Sequence, residues 1–296
     1  MSDEARRSVS RRELERQPAF EEISADVGLL DESALDDLWA EDPDQALELL
    51  AMMANATDRD LAAHARRLAS RLLVDLSASG PARSRGVGRL VVKPAGPDSN
   101  ELDIDASLEA IHEARSQQRR PRLDELSTRE WSRPETAICL LVDRSGSMSG
   151  SRLATAALAA AACSWRAPGE FSLLAFSDGV LTLKGLHQRI EPTDLVATVL
   201  RLRGHGTTDI DLALKAAQLQ LVPATARRRL ILLLSDGEHT AGRDPVNVAK
   251  GIRELAIVAP ADESDHAVRL GREAGATVRT ISGPLDIVPT LNAVLS

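Results

Sequence analysis

Six consecutive apolar residues, Ala137-Ile-Cys-Leu-Leu-Val142, stop abruptly at Asp143-Arg-Ser145-Gly-Ser147-Met-Ser149-Gly150. A run of this length, rich in Ile, Leu and Val, reads as a strand buried on both faces. The stretch that follows, Arg152 to Trp165, reads as a helix. A central strand, a short polar turn and a helix put one carboxylate and two hydroxyls at the carboxyl edge of a sheet, where open α/β folds bind ligands. Oxygen-bearing side chains at alternate positions suit a hard cation such as Mg²⁺.

Two stretches downstream carry matching chemistry. Gly204-His205-Gly206-Thr207-Thr208-Asp209 leads into Ile210-Asp211-Leu-Ala213-Leu214, and the apolar run Leu230 to Leu234 ends in Ser235-Asp236-Gly237. An isolated Asp-x-Ser-x-Ser is a common helix-capping turn. Three such pieces in order, two of them at the ends of apolar strands, together resemble the metal-ion-dependent adhesion site (MIDAS) of the von Willebrand factor A (VWA) domain family. The resemblance covers roughly residues 135–296. It implies a doubly wound, mostly parallel sheet and a site for Mg²⁺, with Mn²⁺ as a substitute. Matched by position, the implied metal residues are Asp143, Ser145, Ser147, Thr208 and Asp236, and no catalytic residue is implied. Thr208 takes the ligand position rather than Thr207 because Ala213-Leu214 follow at the family's usual offset. In the family the first Asp and the two Ser act at the metal, the Thr binds directly or through water, and the second Asp acts through water.

With neutral hydroxyls and only two carboxylates, such an ion stays electrophilic toward an anion. The start of the following helix adds about half a positive charge on the same side. A site completed by a Glu or Asp of another protein follows more naturally than a reaction. The alternative is a stand-alone metal-dependent hydrolase. A two-metal hydrolase calls for more carboxylates, and an aspartyl-phosphate phosphatase for Asp-x-Asp where this chain has Asp143-Arg144-Ser145. His205 and His239 read as solvent-facing loop residues, and no Gly-Lys-Ser/Thr follows Gly204–Gly206 to make a phosphate cradle.

The whole pattern looks most like bacterial CoxE-like VWA proteins associated with AAA+ ATPases of the MoxR group. That resemblance implies a chaperone-like adaptor, with an ATPase and a protein client as partners. The chain has no ATPase motif of its own, and it lacks the AAA-like module and acidic Pro-rich linker of the magnesium-chelatase subunit that carries a related domain.

Composition narrows the partners. A net charge of −8, with aromatics at 2% and no Tyr, disfavours nucleic acid, which needs a basic field and stacking platforms. Cys139 and Cys163 read as small buried hydrophobes. The polar start and the lack of any long apolar run lead to the expectation of a cytoplasmic protein that does not insert in membranes.

Four regions follow along the chain: a charged, flexible arm (1–32), a small helical region (33–79), a linker with a short strand and a helix (80–134), and the VWA domain (135–296). Asp42-Pro43-Asp44-Gln45 marks one helix start and Thr57-Asp58-Arg59-Asp60 another, the latter with Leu61, Ala65, Leu68 and Leu72 on one stripe. Arg89 to Lys93 reads as a strand. A helix after Asp105 is expected to carry Leu108 and Ile111 on one side, and the polar stretch Gln117–Arg133 to cross the surface toward the VWA domain. Asp178-Gly179 predicts a hairpin from Phe171–Phe176 into an antiparallel edge strand.

Overall fold

The structure is a computed structural model and describes residues 8–78, 89–95, 102–132, 136–145, 150–204 and 206–295. Ser147, His205, the segments 79–88 and 96–101 and the first seven residues therefore lie outside the described residues. The chain divides into two compact units, Met1–Ala82 with Thr136–Ser296, and Arg83–Glu135.

Among the described residues the larger unit begins with five helices: α1 (Arg11–Leu14), α2 (Phe20–Ile23), α3 (Glu32–Glu41), α4 (Pro43–Met53) and α5 (Arg59–Ala78). Carboxylates start the last three. Asp31 accepts from the N–H groups of Ser33 and Ala34, Asp42 from that of Gln45, and Asp58 from those of Asp60 and Leu61. Residues 8–30, expected as a loose arm, are instead packed. Leu14, Phe20 and Ile23 are at most 1% exposed, and Val9 exchanges backbone hydrogen bonds with Asn55 and Thr57. The high charge of this segment concealed three large apolar anchors. In α5 the deepest stripe is Leu61, Ala62, Ala65, Ala69 and Leu73, with Leu68 and Leu72 at its margin.

In the smaller unit, β1 (Arg89–Pro94) pairs antiparallel with β2 (Ser127–Ser132), and α6 (Ile104–Ser116) lies between them in sequence. β2 falls within the polar stretch 117–133, whose composition predicted no element of its own. Its residues, Ser-Thr-Arg-Glu-Trp-Ser, form a strand because β1 supplies the ladder. Asp103 caps α6 by accepting from Ala106 N–H. The buried positions of α6 are Ser107 and Ala114, while Leu108 is 46% exposed, so the helix turns a different face inward than its large residues suggested.

The rest of the larger unit alternates strands and helices: β3 (Thr136–Asp143), α7 (Gly150–Arg166), β4 (Phe171–Phe176), β5 (Val180–Lys184), α8 (Pro192–Val199), α9 (Ile210–Leu221), β6 (Arg228–Leu234), α10 (Val246–Lys250), β7 (Leu255–Pro260), α11 (Asp265–Ala274), β8 (Thr277–Ile281) and α12 (Ile287–Leu295). The sheet order is β5-β4-β3-β6-β7-β8. β5 is antiparallel to β4 at the edge, and the other pairs are parallel. Successive residues of a strand point to opposite faces, and β3 divides accordingly. Ile138, Leu140 and Val142 join a core with α4, α5, α7, α8 and α12. Ala137, Cys139 and Leu141 join one with α9 and α11.

α7 explains how the N-terminal helices are held. Every residue from Leu153 to Cys163 is buried, because the sheet covers one side and α4, α5 and α8 pack on the other. A helix apolar all round requires such double cover. Its alanines let both layers approach closely. Asn55 adds a polar tie, its Nδ2 donating to Leu200 O at 2.7 Å. Among the described residues no helix is long and apolar enough to cross a membrane.

Candidate metal centre

Parallel pairing of β3 with β6, in the register Val142↔Leu234, sets Asp143 beside Ser235. Ser235 Oγ donates to Asp143 Oδ2 at 2.7 Å, and Ser145 N–H donates to Oδ1 at 2.9 Å. Burial pushes the Asp143 carboxyl above its ordinary range. The hydrogen bonds from Ser235 and Ser145 oppose that shift, and the nearby Asp236 charge adds to it. A carboxylate that is both desolvated and near a second one is stabilised by a cation.

The Thr208 loop is pinned from two sides. Asp209 N–H donates to Ser177 O, just past the end of β4, at 2.8 Å. On the other side Thr208 N–H donates to Thr240 Oγ1 at 2.9 Å, and Thr208 O accepts from the N–H groups of Thr240 and Ala241. Thr240 lies in the loop after β6. Since β3 lies between β4 and β6, these bonds hold the Thr208 loop at the carboxyl edge of β3. Thr208 is 4% exposed whereas Thr207 is exposed. Among the described residues the Thr208 hydroxyl has no hydrogen-bond partner. The neighbouring carboxylates have structural duties: Asp209 caps α9 through Leu212 N–H, and Asp211 pairs with Lys215 at 2.5 Å.

Asp236 follows β6 directly. Its Oδ1 accepts from Glu238 N–H at 2.9 Å, and its main-chain oxygen accepts from Ala267 N–H, at the start of α11, at 2.8 Å. Gly237 makes this approach possible: its φ is +82°, and a Cβ there would stand 2.5 Å from Ala267 N. The second Asp236 oxygen, Oδ2, faces Arg152 Nη1 at 3.4 Å, and Arg152 Nη2 pairs with Glu263. A cavity of about 210 Å³ opens beside this chain of charges, with Val142, Leu234, Val258 and Ile281 among its apolar lining and Asp143, Asp236 and Arg152 among its polar lining.

The described donors therefore comprise two carboxylates and the hydroxyls of Ser145 and Thr208, all of them hard oxygens as Mg²⁺ prefers. Among the described residues no group of three or more His, Cys, Asp or Glu is gathered for a metal, so a cation here draws on hydroxyls and water besides Asp143 and Asp236. The unpartnered Thr208 hydroxyl and the mutual repulsion of the two carboxylates both fit such an ion.

A family model described as VWA domain containing CoxE-like protein matches residues 81–268. The chain belongs to that family. No curated protein matches it. Solved structures similar to this CoxE-like chain include an aerotolerance-related membrane protein from Bacteroides fragilis, at 16% identity and TM-score 0.43, covering 54% of this chain and 98% of its own. A von Willebrand factor type A protein from Catenulispora acidiphila has 16% identity and TM-score 0.41, with 56% of this chain and 43% of its own covered, so that this chain spans less than half of it. The manganese-loaded TRAP protein of Plasmodium vivax has 18% identity and TM-score 0.42, with 55% and 72% covered.

Sequence reasoning passed over Ser235, Thr240 and Arg152. Ser235 was legible in principle, since two neighbouring parallel strands that end together place the residues after them side by side. Arg152 was read only as a helix start, and nothing local signals its reach to Asp236. His239 is half-buried rather than solvent-facing. Cys139 and Cys163 are free and fully buried, and burial pushes both thiols up to about 12, which leaves them unreactive.

Proposed function

We propose that this CoxE-like protein is a metal-dependent protein-binding adaptor. Asp143, Ser145, Ser147, Thr208 and Asp236 hold Mg²⁺, and an acidic residue of a partner completes the coordination. The observation that carries this reading is the gathering, at one sheet edge, of a desolvated Asp143, the unpartnered hydroxyl of Thr208 and the Asp236 carboxylate. The ion would supply an electrophilic anchor for a carboxylate. The chain's own part is to hold the donors in place: Ser235 and the Ser145 N–H orient Asp143, Thr240 fixes the Thr208 loop, and Ala267 fixes the main chain at Asp236. Family membership supports a VWA protein, and the resemblance to the MoxR-associated group makes an AAA+ ATPase of that type, with a protein client, the partner to test.

The test is a pull-down with wild type and Asp143→Ala, each in Mg²⁺ and in chelator. A MoxR-type ATPase retained by wild type in Mg²⁺ and lost in the other three conditions supports the adaptor. Equal retention in all four removes the metal from the binding mechanism. Turnover of ester or phosphoester substrates that disappears with Asp143→Ala would replace the adaptor with the hydrolase reading.

A further inference from the structure

Arg152 stands in the first turn of α7, immediately after the Asp143–Gly150 motif, and its guanidinium bridges two acids of different loops. Nη1 lies 3.4 Å from Asp236 Oδ2, and Nη2 pairs with Glu263 beyond the end of β7. The guanidinium and the Asp236 carboxylate are only 25% and 15% exposed, so the pair is partly shielded from solvent. Nearby, Asp143 is held by Ser235 and Ser145, and it senses the Asp236 charge. Of the two carboxylates in the candidate metal centre, Asp143 is thus matched by hydroxyl and amide donors alone, whereas Asp236 has an amide donor on Oδ1 and a fixed cation on Oδ2.

We propose that Arg152 is a built-in counter-cation of the metal centre, which competes with the divalent ion for Asp236 and thereby weakens metal binding in the absence of a partner. The inference rests on the metal-adaptor reading above. With Arg152 paired to Asp236, a divalent ion drawn to the centre meets one carboxylate already paired with a positive charge. Charge counting gives the consequence. Asp143, Asp236, Asp262 and Glu263 line the cavity beside the centre together with Arg152. With a divalent ion bound, Arg152 leaves this lining one unit less negative than it would be without it. A less negative centre accepts an additional carboxylate more readily, so the same residue that lowers affinity for the ion favours an acidic partner group. Glu263 serves as the second anchor, keeping the guanidinium at the site when Asp236 turns toward the ion.

The experiment is isothermal titration of the chelator-treated full chain with MgCl₂, comparing wild type, Arg152→Gln, Arg152→Lys and Asp143→Ala. Arg152→Gln is expected to bind Mg²⁺ on the order of ten-fold more tightly than wild type, as loss of one charge at this range in a partly shielded site requires. Arg152→Lys, which keeps the charge, is expected to stay near wild type, and Asp143→Ala to lose binding. Unchanged or weaker binding by Arg152→Gln overturns the competition while leaving the metal centre standing. Equal tightening by Arg152→Gln and Arg152→Lys overturns it too, since packing rather than charge would then be responsible. Absence of Mg²⁺ binding by wild type overturns both the metal-adaptor reading and this inference. Thermal unfolding of each variant without metal separates a folding defect from a change at the site.

Discussion

Replacing Gly237 with Ala tests how the second aspartate is positioned. Two costs add at this residue. Its φ of +82° lies in the left-handed region, where a Cβ costs roughly 1–2 kcal/mol. The new Cβ would also stand 2.5 Å from Ala267 N and 2.6 Å from its Cα. Those are backbone atoms at the start of α11 and cannot rotate away, so the helix or the loop must shift, at about 1–3 kcal/mol for overpacking. The total is about 2–5 kcal/mol. Gly275 supplies the control: its φ is +74°, but nothing lies within 4 Å of the place a Cβ would occupy, so only the conformational cost of about 1–2 kcal/mol applies. The assay is thermal or urea unfolding of both variants. At about 2–4 °C per kcal/mol for a unit of this size, Gly275→Ala should lower Tm by a few degrees and Gly237→Ala by about twice as much or more. The Gly237 variant should also lose part of any rise in Tm that Mg²⁺ produces, because Asp236 moves with the loop. Equal losses in the two variants would refute the steric argument and leave backbone conformation as the sole reason for glycine in the Asp236-Gly237 turn.

Two further outcomes follow from packing and charge elsewhere in the larger unit. Ala160, fully buried in α7, has no room on either side, so Ala160→Leu should cost about 1–3 kcal/mol, whereas Leu219→Ala at a position 72% exposed on α9 should stay within about 0.5 kcal/mol; equal effects in urea unfolding would show that α7 is not sandwiched. Glu170 accepts from Thr225 N–H, Thr225 Oγ1 and Ala226 N–H at 2.6, 2.7 and 2.9 Å. Partial burial raises its pKa, but these hydrogen bonds together outweigh that and leave it below the ordinary glutamate value. Its folded pKa is depressed, so its stabilisation is complete above the unfolded pKa and is lost as pH falls through the folded one. Glu170→Ala should therefore cost about 1 kcal/mol at neutral pH, a figure kept small by solvent exposure, and the gap in Tm from wild type should close in acid; a gap independent of pH would contradict the hydrogen-bond account.

Much of the architecture was legible because its signals are local. The apolar run of β3 announced a strand covered on both faces, Asp42 and Asp58 announced helix starts, and Asp178-Gly179 announced the edge hairpin, since each depends on residues within a few positions along the chain. The order of Asp143, Thr208 and Asp236, at strand ends or before a helix, likewise pointed to one sheet edge. Other features depend on what a segment meets after folding. Ser127–Ser132 is a strand only because β1 pairs with it, and residues 8–30 are ordered by three apolar anchors that their charge obscures. α4 and α5 pack on α7, whose alanines admit a layer on each side. The contact of Ser235 with Asp143 required the β3–β6 register, and that of Arg152 with Asp236 required the first turn of α7 to reach the loop after β6. The sequence by itself determined most elements of the alternating strand-helix region and the kinds of donor atoms; tertiary structure decided β2, the packing of residues 8–30 and which donors became neighbours, because side-chain pairs across strands and helices depend on register and packing that no local periodicity encodes.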